Sequence, residues 1–191
     1  AACVQPTFAR ISPREVLTEP AEGIRFTGDG LGEPWGRAIH RLLELAAHDA
    51  TLDLPAAAAT TLSGEEVSLA YLDRAVETVR GVLASEIWQR AQASPARFVE
   101  VPFAVQVRGE ALPEPVRKLA GDGEPLPTVV RGVIDLVFAE AVAGAWTVVD
   151  WKTDSVTQAS EQLLEDHYRP QVELYADCWR LLAPYNSSPN Q

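Results

Sequence analysis

The 191-residue sequence predicts an α/β domain, a mixed sheet flanked by helices, on three observations. Apolar residues recur at helical spacing in "WGRAIHRLLELAAHDA", where Ile39, Leu42, Leu43, Ala46 and Ala47 share one face. The pattern then changes to period two in "RFVEVPFAVQV", "TVVRGVIDLVFAE" and "AWTVVDWKTD". Beyond them the chain turns helical again, through "PQVELYADCWRLL". At 47% hydrophobic and 23% charged residues, the composition suits one globular domain with a sizeable core.

Each element has its own signal. Residues 1–34 are rich in Pro, Gly and charge and end in "TGDGLGEP", which predicts an irregular lead-in with short helical pieces. Pro34 serves as a first-turn residue for the helix that follows. An Ala-rich loop near 53–62 leads to Ser63 as a cap, with Glu66 as its capping-box partner, and a long helix runs to about Gln92. In the first strand Phe98 and Glu100 face one side and Val99, Val101 and Phe103 the other, while Pro102 implies an edge or a bulge. The second strand carries Asp135 between Val133 and Val137. In the third, Trp146, Val148, Asp150 and Lys152 point one way and Thr147, Val149, Trp151 and Thr153 the other. A last helix has Pro170 near the start of its final stretch. The expected division is a lead-in over 1–34, a domain over 35–183 and a disordered tail over 184–191.

Several function classes are narrowed by composition. The sequence contains no methionine, which predicts a domain cut from a longer polypeptide. It has no signal-peptide h-region and nothing near the ~20 apolar residues that span a bilayer, so a soluble, intracellular protein is expected. Cys3 and Cys178 are too few for a disulfide framework; two free thiols, with Cys178 packed on a helix, are favoured over one disulfide between them. The formal charge of -11 argues against a self-sufficient nucleic-acid binder, because phosphate contacts come from Lys and Arg.

Lysine usage draws attention to one site. Lys118 and Lys152 are the two lysines beside fourteen arginines, so Lys152, two residues after Asp150 on an apolar strand, stands out. The link "AVAG" between the second and third strands is short enough to require an antiparallel hairpin. If its centre falls at Val142 and Ala143, Asp135 lies opposite Asp150, with Cβ atoms ~5 Å apart. Two such carboxylates are destabilising without a cation or a proton between them, and the space suits a hard divalent metal. Taken singly, the other candidates have ordinary explanations. His40 reads as a partly buried histidine bonded to a neighbour such as Glu44, Glu100 as a solvent-facing strand residue, and Gln171 and Tyr175 as surface and core-edge residues. His48 and His167 read as structural.

Taken together, these pieces resemble the PD-(D/E)xK nuclease superfamily. Asp135, with Ile134 in the often-degenerate proline position, and Asp150-Trp151-Lys152 match its core. "WGRAIHRLLE" is similar to the G-x-x-x-H helix of RecB-type and AddA-type nucleases, "VEVPF" to their acidic strand, and "QVELYADCW" to their Q-x-x-x-Y motif. The resemblance implies a restriction-endonuclease-like core and a Mg²⁺-dependent deoxyribonuclease, with Mn²⁺ as a substitute. It implies His40, Asp135, Asp150 and the Trp151 backbone carbonyl as metal ligands. Lys152 would be the electrostatic catalyst, Glu100 would help position metal-bound water, and Gln171 and Tyr175 would contact substrate.

It further implies a cytoplasmic exonuclease domain of a UvrD-like helicase-nuclease that acts on DNA ends and single strands in recombinational double-strand-break repair. A second subunit of AddB or RecC type would be its partner. The sequence has no G-x-x-x-x-G-K-[ST] stretch, so an ATP site would lie elsewhere in the polypeptide. Two other readings remain: a catalytically silent DNA-binding or protein-docking module, and a stand-alone phage or defence nuclease.

Overall fold

The computed structural model describes residues 8–17, 25–26, 31–108, 116–117, 127–141, 145–153, 156–158 and 161–183. Among them the strands are β1 (Ala9–Ile11), β2 (Arg25–Phe26), β3 (Arg97–Val107), β4 (Thr128–Ala139), β5 (Trp146–Val149) and β6 (Val156–Gln158). The α-helices are α1 (Gly32–His48), α2 (Leu54–Gly64), α3 (Leu72–Leu83), α4 (Glu86–Ala93) and α5 (Glu161–Leu182). Strand β4 organises the main sheet. It pairs with β3, runs parallel to β1 and antiparallel to β5, so the sheet is mixed as expected. The expectations for Cys3, Lys118, the hairpin centre at Val142 and Ala143, and residues 184–191 lie outside the described residues.

The β4–β5 ladder has the expected register. Leu136 pairs with Val149, Val137 with Val148, Phe138 with Thr147 and Ala139 with Trp146. Extending it by one rung would place Asp135 opposite Asp150, but the strand stops at Val149 and residues 150–153 leave the ladder. The longer strand read from "AWTVVDWKTD" is therefore corrected. The backbone N–H of Trp151 donates to Asp135 Oδ2 at 2.6 Å, a side-chain partner in place of a ladder carbonyl.

Three further expectations are overturned. The stretch read as an Ala-rich loop is α2: Asp53 caps it by accepting from the Ala56 N–H, Pro55 sits in its first turn, and alanine is the best helix former. Ser63 is not a cap, because it lies in the last turn of α2 with its hydroxyl donating to the Ala59 carbonyl. The long helix to Gln92 is broken into α3 and α4, since Ser85 adopts extended backbone angles and its hydroxyl accepts from the Trp88 N–H. The lead-in has the short helical piece expected of it, a 3₁₀ helix at Pro13–Val16, and also carries β1, paired from Ala9↔Thr128 to Ile11↔Val130.

The chain divides into two compact units. One comprises Arg25–Val101 and Asp135–Gln158. Its core joins α1 through α4 to the β4–β5 hairpin, with Ile39, Leu42, Ala58, Leu62, Val79, Leu136 and Phe138 essentially buried. Each such Val, Leu, Ile or Phe side chain contributes roughly 1.5–3 kcal/mol relative to exposure. The other unit comprises Ala1–Ile24, Pro102–Ile134 and Ala159–Gln191. There Leu174, Tyr175, Cys178 and Trp179 form the buried face of α5, which stays helical through Pro170. Gly132 on β4 leaves room for the Phe103 ring and Pro13, each 3.1 Å from where a Cβ would lie. Among the described residues no helix is long and apolar enough to cross a membrane.

Candidate active site

Amphipathic helix α1 buries Ile39 and Leu43 and leaves His40 at the flank of that face, 27% exposed at its side chain. Its Nδ1 lies 3.4 Å from Asp135 Oδ1 and 3.8 Å from Glu100 Oε1. Asp135 is 7% exposed, brought in by β4 between Ile134 and Leu136, which are buried completely or nearly so. Glu100 comes from β3, where its φ of 49° is left-handed. A non-glycine residue there carries backbone strain, and Pro102, two residues on, cannot donate to a ladder. Pro102 sits on β3, which ends the strand order β1-β4-β3, the edge that its presence implied.

The second half of the site is local. Asp150 Oδ2 and Lys152 Nζ form an ion pair at 2.6 Å, with the aspartate side chain 5% exposed and the lysine 28%. Trp151, between them, packs against the core of its unit, its ring 6.4 Å from that of Trp88.

Charge is unevenly compensated. Burial disfavours the His40 imidazolium, but hydrogen bonding to Asp135 and Glu100 and their charges outweigh it, pushing His40 up to about 10. Burial raises Asp150 above the ordinary carboxylate range; Lys152 opposes that rise, Asp135 adds to it, and His40 opposes it. The His40 nitrogen and the Glu100 and Asp135 oxygens lie within 4.8 Å of one another. Two carboxylates and an imidazole form a donor set that fits a divalent cation, which would take the place of the imidazolium proton.

The structure thus gathers His40, Glu100 and Asp135 at one point, and joins Asp150 to Lys152 beside them through the Trp151–Asp135 hydrogen bond. Glu44, the neighbour considered for His40, pairs with Arg41 instead. Gln171 and Tyr175 belong to the other unit, both buried on α5 and joined by a 3.3 Å hydrogen bond, with the Phe103 ring edge-on to Tyr175. They are neither surface nor core-edge residues. His167 is buried on α5 against Tyr168, and Cys178 is a buried free thiol pushed up to about 12 by burial, with Asp177 adding to the rise. The close meeting of Gly36, the glycine of the G-x-x-x-H pattern, with Thr153 was not foreseen from the sequence, where the signal was a glycine inside a strong helical pattern.

The family model described as "PD-(D/E)XK nuclease superfamily" matches residues 18–190. Among curated proteins, an ATP-dependent helicase/nuclease subunit from Desulforudis audaxviator is 32% identical over 156 residues, covering 78% of this chain and 12% of that protein. Proteins of the same name from Acetivibrio thermocellus and Carboxydothermus hydrogenoformans are 30% and 38% identical over 54% and 50% of the chain, and over 8% of each relative. The chain is similar to about an eighth or less of the length of these relatives.

Proposed function

This chain belongs to the PD-(D/E)XK nuclease superfamily, and on that premise we propose that it hydrolyses DNA phosphodiester bonds as the exonuclease domain of a larger helicase-nuclease. The observation that carries this reading is the meeting of His40, Glu100 and Asp135, next to the Asp150–Lys152 pair.

Asp135, Asp150 and His40, with the Trp151 carbonyl, would hold Mg²⁺, or Mn²⁺ in its place, with Glu100 close enough to share the ion or its water. When bound, such an ion neutralises phosphate charge and acidifies water. Asp135 is already oriented by the Trp151 N–H, so it is presented without rearrangement. Glu100 helps position the attacking water by accepting a hydrogen bond from it. Lys152, a compact point charge, orients that water and stabilises the negative charge that develops on the phosphate. By motif membership, Gln171 and Tyr175 are assigned to the substrate phosphate.

The nuclease domain takes in residues 35–183. A charge of -11 leaves most DNA affinity to the rest of the assembly, namely a helicase region of the same polypeptide and a second subunit of AddB or RecC type. Such an assembly would process DNA ends in the cytoplasm during recombinational repair.

The test compares wild type with a variant combining Asp135→Asn and Asp150→Asn. Wild type should degrade linear DNA with Mg²⁺, in the whole helicase-nuclease if the chain alone is inactive, and Mg²⁺ should raise its melting temperature by mass action. The variant should lose both. An equal melting shift in the variant would place the metal elsewhere, and undiminished cleavage would overturn the assignment.

A further inference from the structure

Helix α1 contains a glycine that helix formation does not favour. Gly36 lies in its interior, where glycine is poorer than alanine, and its φ is not positive, so left-handed freedom is not its use. A Cβ at Gly36 would meet Thr153 Oγ1 at 3.2 Å, closer than nearly all real Cβ contacts. Gly64 and Gly81, in α2 and α3, have nothing within 4 Å of a Cβ. What sets Gly36 apart is therefore the seat it gives to Thr153.

We infer that Gly36 is a positioning residue that sets how closely the segment carrying Asp150 and Lys152 rests on α1. This rests on the nuclease reading above. Past Val149 the segment has left the β4–β5 ladder, so side-chain tethers and its seat on α1 fix its place. Thr153 follows Lys152 directly, and Gly36 lies one helical turn before His40 on the same face. One stripe of α1 thus carries His40 to Asp135 and receives Thr153. A methyl group at position 36 pushes Thr153 away and carries the Lys152 ammonium with it, while His40, Glu100 and Asp135 stay in place. The neighbour must give by a few tenths of an ångström, which at about 10²-fold per Å costs roughly threefold to tenfold in rate.

The test is a set of variants assayed for Mg²⁺-dependent DNA cleavage per folded molecule, in the whole helicase-nuclease if required. Gly36→Ala should lower kcat about fivefold. It should leave KM for DNA near wild type and keep most of the melting-temperature rise with Mg²⁺, since His40 and Asp135 stay in place. Adding Thr153→Ala removes the obstructing hydroxyl and should restore most of the rate; Thr153→Ala alone provides the baseline. Gly81→Ala, in open space, should cleave like wild type. Should Gly36→Ala fold poorly, the double variant decides, because recovery of both folding and rate supports the contact. Cleavage by Gly36→Ala equal to that of Gly81→Ala, or no recovery in the double variant, overturns the inference. Asp135→Asn run in parallel separates the two levels. Its inactivity beside a fully active Gly36→Ala overturns the positioning role alone, whereas its full activity overturns the nuclease site on which the role rests.

Discussion

The two halves of the site are built in opposite ways. His40, Glu100 and Asp135 come from a helix and two strands far apart in sequence, and they meet only when α1, β3 and β4 are all in place. Asp150 and Lys152 are two residues apart on one segment, and pair across a single intervening tryptophan. The first half is a long-range product of the fold, carrying an imidazolium between two acids and a strained backbone at Glu100. The second is a local pair, buried on its acidic side. Damage to the second should therefore spare the first, while damage to the first should be felt in fold stability as well.

The largest separation is expected from Lys152→Ala. Loss of one preorganised charge at a transition state costs ~3 kcal/mol or more, roughly a hundredfold in rate. Cleavage at saturating Mg²⁺ should fall by that factor, with the Mg²⁺-dependent melting shift retained because Asp135, Asp150 and His40 are untouched. Cleavage like wild type would reduce Lys152 to a structural ion pair.

A smaller effect should come from pH. His40 titrates near 10 in the folded protein against an ordinary 6.5, so its folded value is raised. Its contribution to stability is fully present below about 6.5 and is lost as pH rises through about 10. With the side chain 27% exposed, solvent screening brings the loss down to on the order of 2 kcal/mol. Metal-free wild type should lose melting temperature between pH 7 and 10 more steeply than His40→Gln; parallel slopes would remove the imidazolium from the cluster's energetics.

The smallest expected effect isolates the strain at Glu100. Glu100→Gly and Glu100→Ala both delete the carboxylate, but only glycine adopts φ near 49° without a Cβ penalty. The glycine variant should be more stable than the alanine variant by about 1 kcal/mol in chemical denaturation. Equal stabilities would mean that β3 relaxes there at no cost.

How much of this was legible in the sequence depended on the range of the signal. The β4–β5 register followed from a short link and strict alternation, because one slipped residue would turn Leu136 and Phe138 out of the core. The end of β5 was hidden, since the alternation runs on through Asp150 and Lys152 while the Trp151 N–H is taken by the Asp135 side chain. Around α2 the cues were present but ambiguous. Serine caps a helix at Ser85 and bonds back to a carbonyl at Ser63, and only the backbone angles separate the two uses. In the site, motif spacing named the residues. It did not reveal that Glu100, turned by its left-handed backbone, shares a point with His40 and Asp135, because that depends on three elements packing at once.

The pairing of β4 has a consequence for the order of folding. Its far end needs only a tight reversal to bring Leu136 to Val149, whereas its near end waits for Ala9 to reach Thr128 across roughly 120 residues. That loop is longer by about three doublings, ~2 kcal/mol of additional closure entropy, for a strand of three residues. The hairpin that brings Asp135 level with Asp150 is thus expected among the first long-lived contacts of the sheet, and the amino-terminal strand is its last arrival and the first to peel away.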